Sequence, residues 1–210
     1  MRHSLFASVF TALALAAPVT AFAQSSSSQT PAAGGVEVSG LTGFGTVMDD
    51  EGSLGGGPMV GASIGMFVHP RVRVGVDVMR VQHSRDLEFR AWEGTPLFVM
   101  ARGEYISEGN GRVHGIVGGG IGWMRYRGST TEGPIFAPGI NREGPRVTTR
   151  YSADGLAVDV NGGIRIDVTP RWSITPQGRF THTEATRGIQ FLPEPPLWFF
   201  RAEAAIGYRW

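Results

Sequence analysis

Two short stretches of this sequence carry side chains suited to nucleophilic chemistry. His182-Thr-Glu184 places an imidazole two residues from a carboxylate, and His83-Ser84 places one beside a hydroxyl. A histidine that activates a serine and is itself oriented by an acid is the arrangement used for acyl transfer. Neither stretch completes it: the residue between His182 and Glu184 is threonine, and a period-two reading turns His182 onto an apolar face. Asp159 and Asp167 flank Arg165 but stand far apart along one strand, whereas paired carboxylates must flank a substrate. The five histidines are scattered, with no His-Glu-x-x-His or calcium-loop pattern, and Gly118-Gly-Gly120 lacks the strand-to-helix setting of a phosphate cradle. The expectation is a protein that is not an enzyme, with no catalytic, metal or cofactor-binding residues and no cofactor.

A larger set of charges has a different logic. Glu37, Arg73, Asp77, Arg102, Glu104, Asp159, Arg165, Asp167, Arg179, Arg201, Glu203 and Arg209 are six acids and six bases, and all fall on the polar side of alternating segments. The clearest segment is the last. Trp198, Phe200, Ala202, Ala204, Ile206, Tyr208 and Trp210 make one face, and Phe199, Arg201, Glu203, Ala205, Gly207 and Arg209 make the other. That period of two is a β-strand with unlike faces. Aromatic residues at both ends of its apolar face suit the two boundaries of a bilayer.

Seven more segments read the same way, giving eight strands at 36–47, 58–68, from 72, 96–106, 113–126, 156–168, 172–183 and 198–210. Connections after the second, fourth and sixth are short, at 69–71, 107–112 and 169–171. Those after the first, third, fifth and seventh are long, at 48–57, 83–95, 129–152 and 184–197. An even strand count with alternating short and long connections predicts an all-β fold: an eight-stranded antiparallel transmembrane β-barrel with short periplasmic turns and long extracellular loops. Apolar faces would then meet lipid and the balanced charges would fill the lumen as a structural ion-pair network, since eight strands leave only room for side chains. The competing fold is a soluble barrel or sandwich with the apolar faces inside.

The ends and the composition agree with an envelope protein. Met1-Arg-His-Ser, an apolar run from Leu5 to Val19 and Ala21-Phe-Ala23 form a signal peptide over 1–23, followed by a flexible polar segment over 24–35 and the barrel over 36–210. There is no cysteine, hence no disulfide framework, and no lysine. The near-neutral balance of 19 basic and 18 acidic residues excludes the basic surface a nucleic-acid partner favours.

The terminal Ala204-Ala-Ile-Gly-Tyr-Arg-Trp210, and Gly163-Ile-Arg-Ile-Asp-Val-Thr-Pro-Arg-Trp-Ser-Ile174 with its echo Val68-His-Pro-Arg-Val-Arg-Val-Gly75, resemble the small outer-membrane β-barrel proteins, porin-like and OmpA/OmpX-type. The resemblance spans 36–210. It implies a place in the outer membrane of a Gram-negative cell envelope, and an assembly signal at Tyr208 and Trp210 read by the barrel-assembly machinery. It also implies structural ion pairing for Arg165, Asp167, Arg179, Arg201 and Glu203. The expectation departs from OmpA-type proteins in one respect, a barrel without a peptidoglycan-binding domain after Trp210. The expected role is structural or surface-interacting through the extracellular loops. Ile135, Phe136, Arg142, Arg146 and Arg150 of the third loop form a candidate surface for an extracellular ligand, and its arginines suit lipopolysaccharide phosphates. Outer-membrane lipid and lipopolysaccharide are the other expected partners. The alternatives are a small-solute channel and a lipid-modifying enzyme built on His182.

Overall fold

The computed structural model describes residues 33–49, 52–87, 90–108, 111–132, 147–186 and 197–210. The expected leader and the segment after it, up to residue 32, lie outside the described residues. Nine strand segments follow: β1 (Val36–Asp49), β2 (Gly52–His69), β3 (Val72–Val81), β4 (His83–Leu87), β5 (Arg90–Ile106), β6 (Val113–Glu132), β7 (Val147–Asp167), β8 (Trp172–Thr186) and β9 (Leu197–Arg209). β3 and β4 are one barrel strand interrupted at Gln82, whose amide donates to the Pro58 carbonyl. The barrel therefore has eight strands. Each is antiparallel to its neighbours, and β1 closes the circle by pairing with both β2 and β9. Closure leaves no barrel edge to satisfy, the condition for backbone to cross lipid.

Alternation decides which side of the wall each residue takes. Val60, Ile64, Val76, Val99, Val117, Ile121, Val158, Val160, Ile164 and Ile206 point outward and are exposed. The charged residues between them point inward. A soluble protein rarely exposes contiguous apolar surface beyond a few hundred Å2, so a belt around the whole molecule is a lipid-facing surface and the soluble alternative fails. Among the described residues no helix is long and apolar enough to cross a membrane.

The aromatic side chains frame the belt. Trp172 meets Tyr208 at 5.0 Å between ring centroids and Trp210 lies 6.2 Å from Tyr208, all at the end of the short turns. Phe180 stacks on Trp198 at 5.1 Å at the opposite end, where Phe44, Trp123 and Phe200 are also exposed.

The strands are longer than the alternation suggested. The loop expected at 48–57 is mostly ladder, since Val47 pairs with Gly55 and Asp49 with Gly52. The one expected at 83–95 is a hairpin of β4 and β5, His83 pairing with Gly94 and Leu87 with Arg90. β6 and β7 stay paired from Ser129–Arg150 out to Glu132–Val147. Beyond the belt neither face has to be apolar, so alternation fades while backbone pairing continues.

Candidate functional site

The lumen gathers the twelve inward charges. Eleven join one chain of contacts that starts at the short-turn end. His114 Nε2 is 3.5 Å from Asp167, and Arg165 Nε donates to Asp167 at 3.0 Å. Arg165 then grips Glu37 with both terminal nitrogens, at 3.1 and 2.6 Å. Arg73 lies 3.7 Å from Glu37 and donates to Glu104 at 2.9 Å. Arg102 links Glu104 at 3.1 Å to Asp77 at 2.6 Å. Arg179 reaches Asp77 at 3.0 Å, Asp159 at 3.5 Å and Glu203 at 2.7 Å. Arg201 closes the chain 3.7 Å from Asp159. Arg209, the twelfth, instead donates to the Pro170 carbonyl and sits over the Phe67 ring.

Neutral groups complete the layer. Ser63 accepts from Arg73 at 2.8 Å, Gln177 donates to Glu203 at 2.6 Å and Asn161 donates to Gln177 at 2.8 Å. Thr181 accepts from Arg201. Packing is dense: Arg179 and Arg201 are 1% and 0% exposed. A residual cavity of about 20 Å3 lies among Glu37, Ser63, Arg73, Arg165 and Gln177, which is space for roughly one water.

Apolar side chains pack against this layer toward both ends. Phe67, Ile106 and Ile116 form a cluster toward the short turns, with the Arg165 and Arg209 guanidiniums each 5.7 Å from the Phe67 ring centroid. A larger cluster toward the other end includes Val47, Met59, Met79, Phe98, Met100, Met124 and Phe199. Phe98 meets Phe199 edge-on at 5.0 Å, Arg201 lies 4.7 Å over Phe98, and the Met79 sulfur accepts from Arg179 at 3.0 Å. The alternation reading passed over these clusters. Their signal was present, because Phe67, Met79, Phe98, Met100, Met124 and Phe199 occupy positions of polar parity.

The described histidines do not assemble a catalytic group. His182 faces outward against the Trp198 ring at 4.1 Å. His83 is buried inside and shares a 2.7 Å hydrogen bond with the Tyr126 hydroxyl, and Tyr126 stacks on Tyr151 at 5.7 Å. Among the described residues no group of three His, Asp or Glu could hold a metal ion. Of the expected loop surface, Ile135, Phe136, Arg142 and Arg146 lie outside the described residues, and Arg150 is exposed on β7. Just beyond the belt Arg125 donates to Asp154 at 2.7 Å. That hydrogen bond and the guanidinium charge hold the Asp154 carboxyl below its ordinary range. Tyr208 and Trp210 stand at the short-turn end of the last strand, half-buried and exposed respectively.

No protein-family model matches this sequence, and no curated protein does. Solved structures do match the fold. Surface protein A of Neisseria aligns with a TM-score of 0.62 at 13% identity, over 84% of this chain and 99% of that one. The attachment invasion locus protein of Yersinia pestis aligns at 0.52 and 14% identity, over 85% and 100%. A major outer membrane protein of Thermus thermophilus aligns at 0.53 and 13% identity, over 85% and 100%. With that geometry and these matches, the fold of the chain is that of the small outer-membrane β-barrels.

Proposed function

We propose that the chain is a closed, non-conducting barrel of the outer membrane that works as a structural and surface-interaction protein. The observation that carries this reading is the lumen, where a buried ionic layer and two apolar clusters, one toward each end, fill the inside of the wall beneath an apolar outer belt. Among the described residues the lumen is densely filled, which leaves the external wall and the end where β1–β2, β4–β5, β6–β7 and β8–β9 are joined as the surfaces to act. That end faces the cell exterior and the short turns face the periplasm, the orientation general among bacterial barrels. Tyr208 and Trp210 act as the assembly signal. The inward charges hold the wall together, and outer-membrane lipid and lipopolysaccharide surround it. The Yersinia and Neisseria proteins of like fold are named for attachment and for the cell surface, which favours a role in contact with an extracellular ligand.

Outer-membrane fractions run unboiled and boiled on a gel test the reading. The expected result is a faster-migrating unboiled band confined to the outer membrane, with no reproducible conductance when the protein is added to planar bilayers. A single band in the soluble periplasm would overturn the fold's placement, and steady conductance would favour a channel.

A further inference from the structure

The external wall carries a charged groove that the lumen does not explain. Arg80, Arg125, Arg127 and Arg150 are all exposed and follow the outward parity of their strands. Register places them close together. Arg80 pairs with Leu97 and Leu97 with Arg125, putting the two arginines two strands apart, about 10 Å. Arg127 is one outward position beyond Arg125, and Arg150 pairs with Ser129, the next outward position again. The row below holds Val78, Val99, Trp123 and Leu156, the rim of the apolar belt. Arg125 pairs with Asp154, whose carboxylate also feels the Arg127 charge from farther off.

Between these arginines and the β1–β2 hairpin the wall is concave. A groove of about 590 Å3 is lined by Arg127 and Arg150 on one side and by Phe44 and Pro58 on the other, with Gly56, Gly57, Gly94 and Gly128 along it. Of these glycines Gly56 has the outward parity of Phe44 and Pro58, and a Cβ there would run into the Phe44 ring, so a side chain at 56 would crowd the apolar flank of the groove. The groove is therefore amphiphilic: cationic on one flank, apolar on the other, and continuous with the lipid-facing belt. Glu93 also lines it, across from Ser129 and so beside the Arg127–Arg150 flank, where a carboxylate suits sugar hydroxyls.

We propose that this groove binds the phosphorylated sugar headgroup of an outer-leaflet glycolipid. Arg127 and Arg150 take a phosphate, Arg80 a second one across Leu97, and Phe44 and Pro58 pack against sugar or the start of an acyl chain. Guanidinium forks suit phosphate oxygens, and their bonds to a charged acceptor are stronger than neutral ones. The site rests on the outward orientation proposed above, and deepens it by assigning the lipid contact to one face.

The test uses the full mature chain, folded in detergent and titrated with bisphosphorylated lipid A under native mass spectrometry. One lipid A per chain is expected. The paired variant Arg127→Gln and Arg150→Gln should bind at least about tenfold more weakly, as should wild type offered dephosphorylated lipid A. Arg112→Gln, at the opposite end, should bind as wild type does. Equal affinity for the two lipids, or unchanged affinity in the paired variant, would overturn the site. So would displacement of lipid A by millimolar inorganic phosphate, which would make it a free-anion site. Both arginines are exposed, so the variants should keep the heat-modifiable band. Loss of that band in wild type would instead indict the barrel reading itself.

Discussion

Arg179 shows why the lumen is built from guanidinium groups. Its two terminal nitrogens serve three carboxylates, Asp77, Asp159 and Glu203, with essentially no solvent contact. A planar fork can bridge acids on different strands, whereas an ammonium is a single point charge. Removing the fork takes a cation from three buried carboxylates at once: Asp77 keeps Arg102 and Glu203 keeps Gln177, but Asp159 is left with Arg201 at 3.7 Å, and breaking a buried pair is far costlier than replacing the whole pair by apolar groups. Arg179→Met should therefore lower stability by about 3–5 kcal/mol. Arg209→Met, which loses a carbonyl hydrogen bond at the short-turn end of the lumen and breaks no ion pair of the chain, should cost only about 1 kcal/mol. Urea midpoints of the two variants refolded into lipid vesicles give the comparison. Equal midpoints would mean that Arg179 is filler and that its ion pairs hold nothing.

At the scale of the strand, glycine marks where one element must approach another. A Cβ on Gly94 of β5 would run into His83 Nε2 and the Tyr126 hydroxyl, while one on Gly103, farther along the same strand, would meet nothing within 4 Å. Gly94→Val should break the His83–Tyr126 hydrogen bond and loosen the β4–β5 hairpin. Gly103→Val should be tolerated, since it adds an apolar side chain on the outward face. Amide exchange checks this: faster exchange over 83–94 is expected in the first variant alone, and similar exchange in both would refute the steric argument. The same elements explain what a reader of the sequence can and cannot see. The face taken by Val36, Val38 and Phe44, or by Arg201 and Glu203, follows from parity, because one residue of slip would turn every side chain over. Length is less visible. Gly52, Gly55, Gly56 and Gly57 give no alternation, so β2 reads as loop until Pro58, although its ladder with β1 begins at Gly52. Height in the lumen is invisible too. Glu37 and Arg165 are 128 residues apart and meet only because the sheet closes, and parity alone cannot say that Phe67 sits toward one end while Phe98 and Phe199 sit toward the other.

For the whole molecule, the order of layers along the axis separates stability from permeability. A closed eight-stranded wall leaves an interior that side chains fill, and here the filling is an ionic layer with an apolar cluster toward each end, the lower one set beside Arg165 and Arg209. The layers reinforce one another: the clusters keep water from the ion pairs, and exclusion of water strengthens each pair. The lower cluster is small, resting on Phe67, Ile106 and Ile116. Phe67→Ala should remove its centre and the ring facing Arg165 and Arg209, at about 3–5 kcal/mol for a buried phenylalanine. It should nevertheless leave the protein silent in planar bilayers, because the ionic layer and the larger cluster around Phe98 and Phe199 still obstruct the lumen. Unfolding midpoint and conductance measured on the same preparation would separate the two effects. A lowered midpoint with no conductance fits seals in series. Steady current from Phe67→Ala would mean that the lower cluster alone holds the lumen shut and that the charged layer beside it is a path for ions rather than a plug.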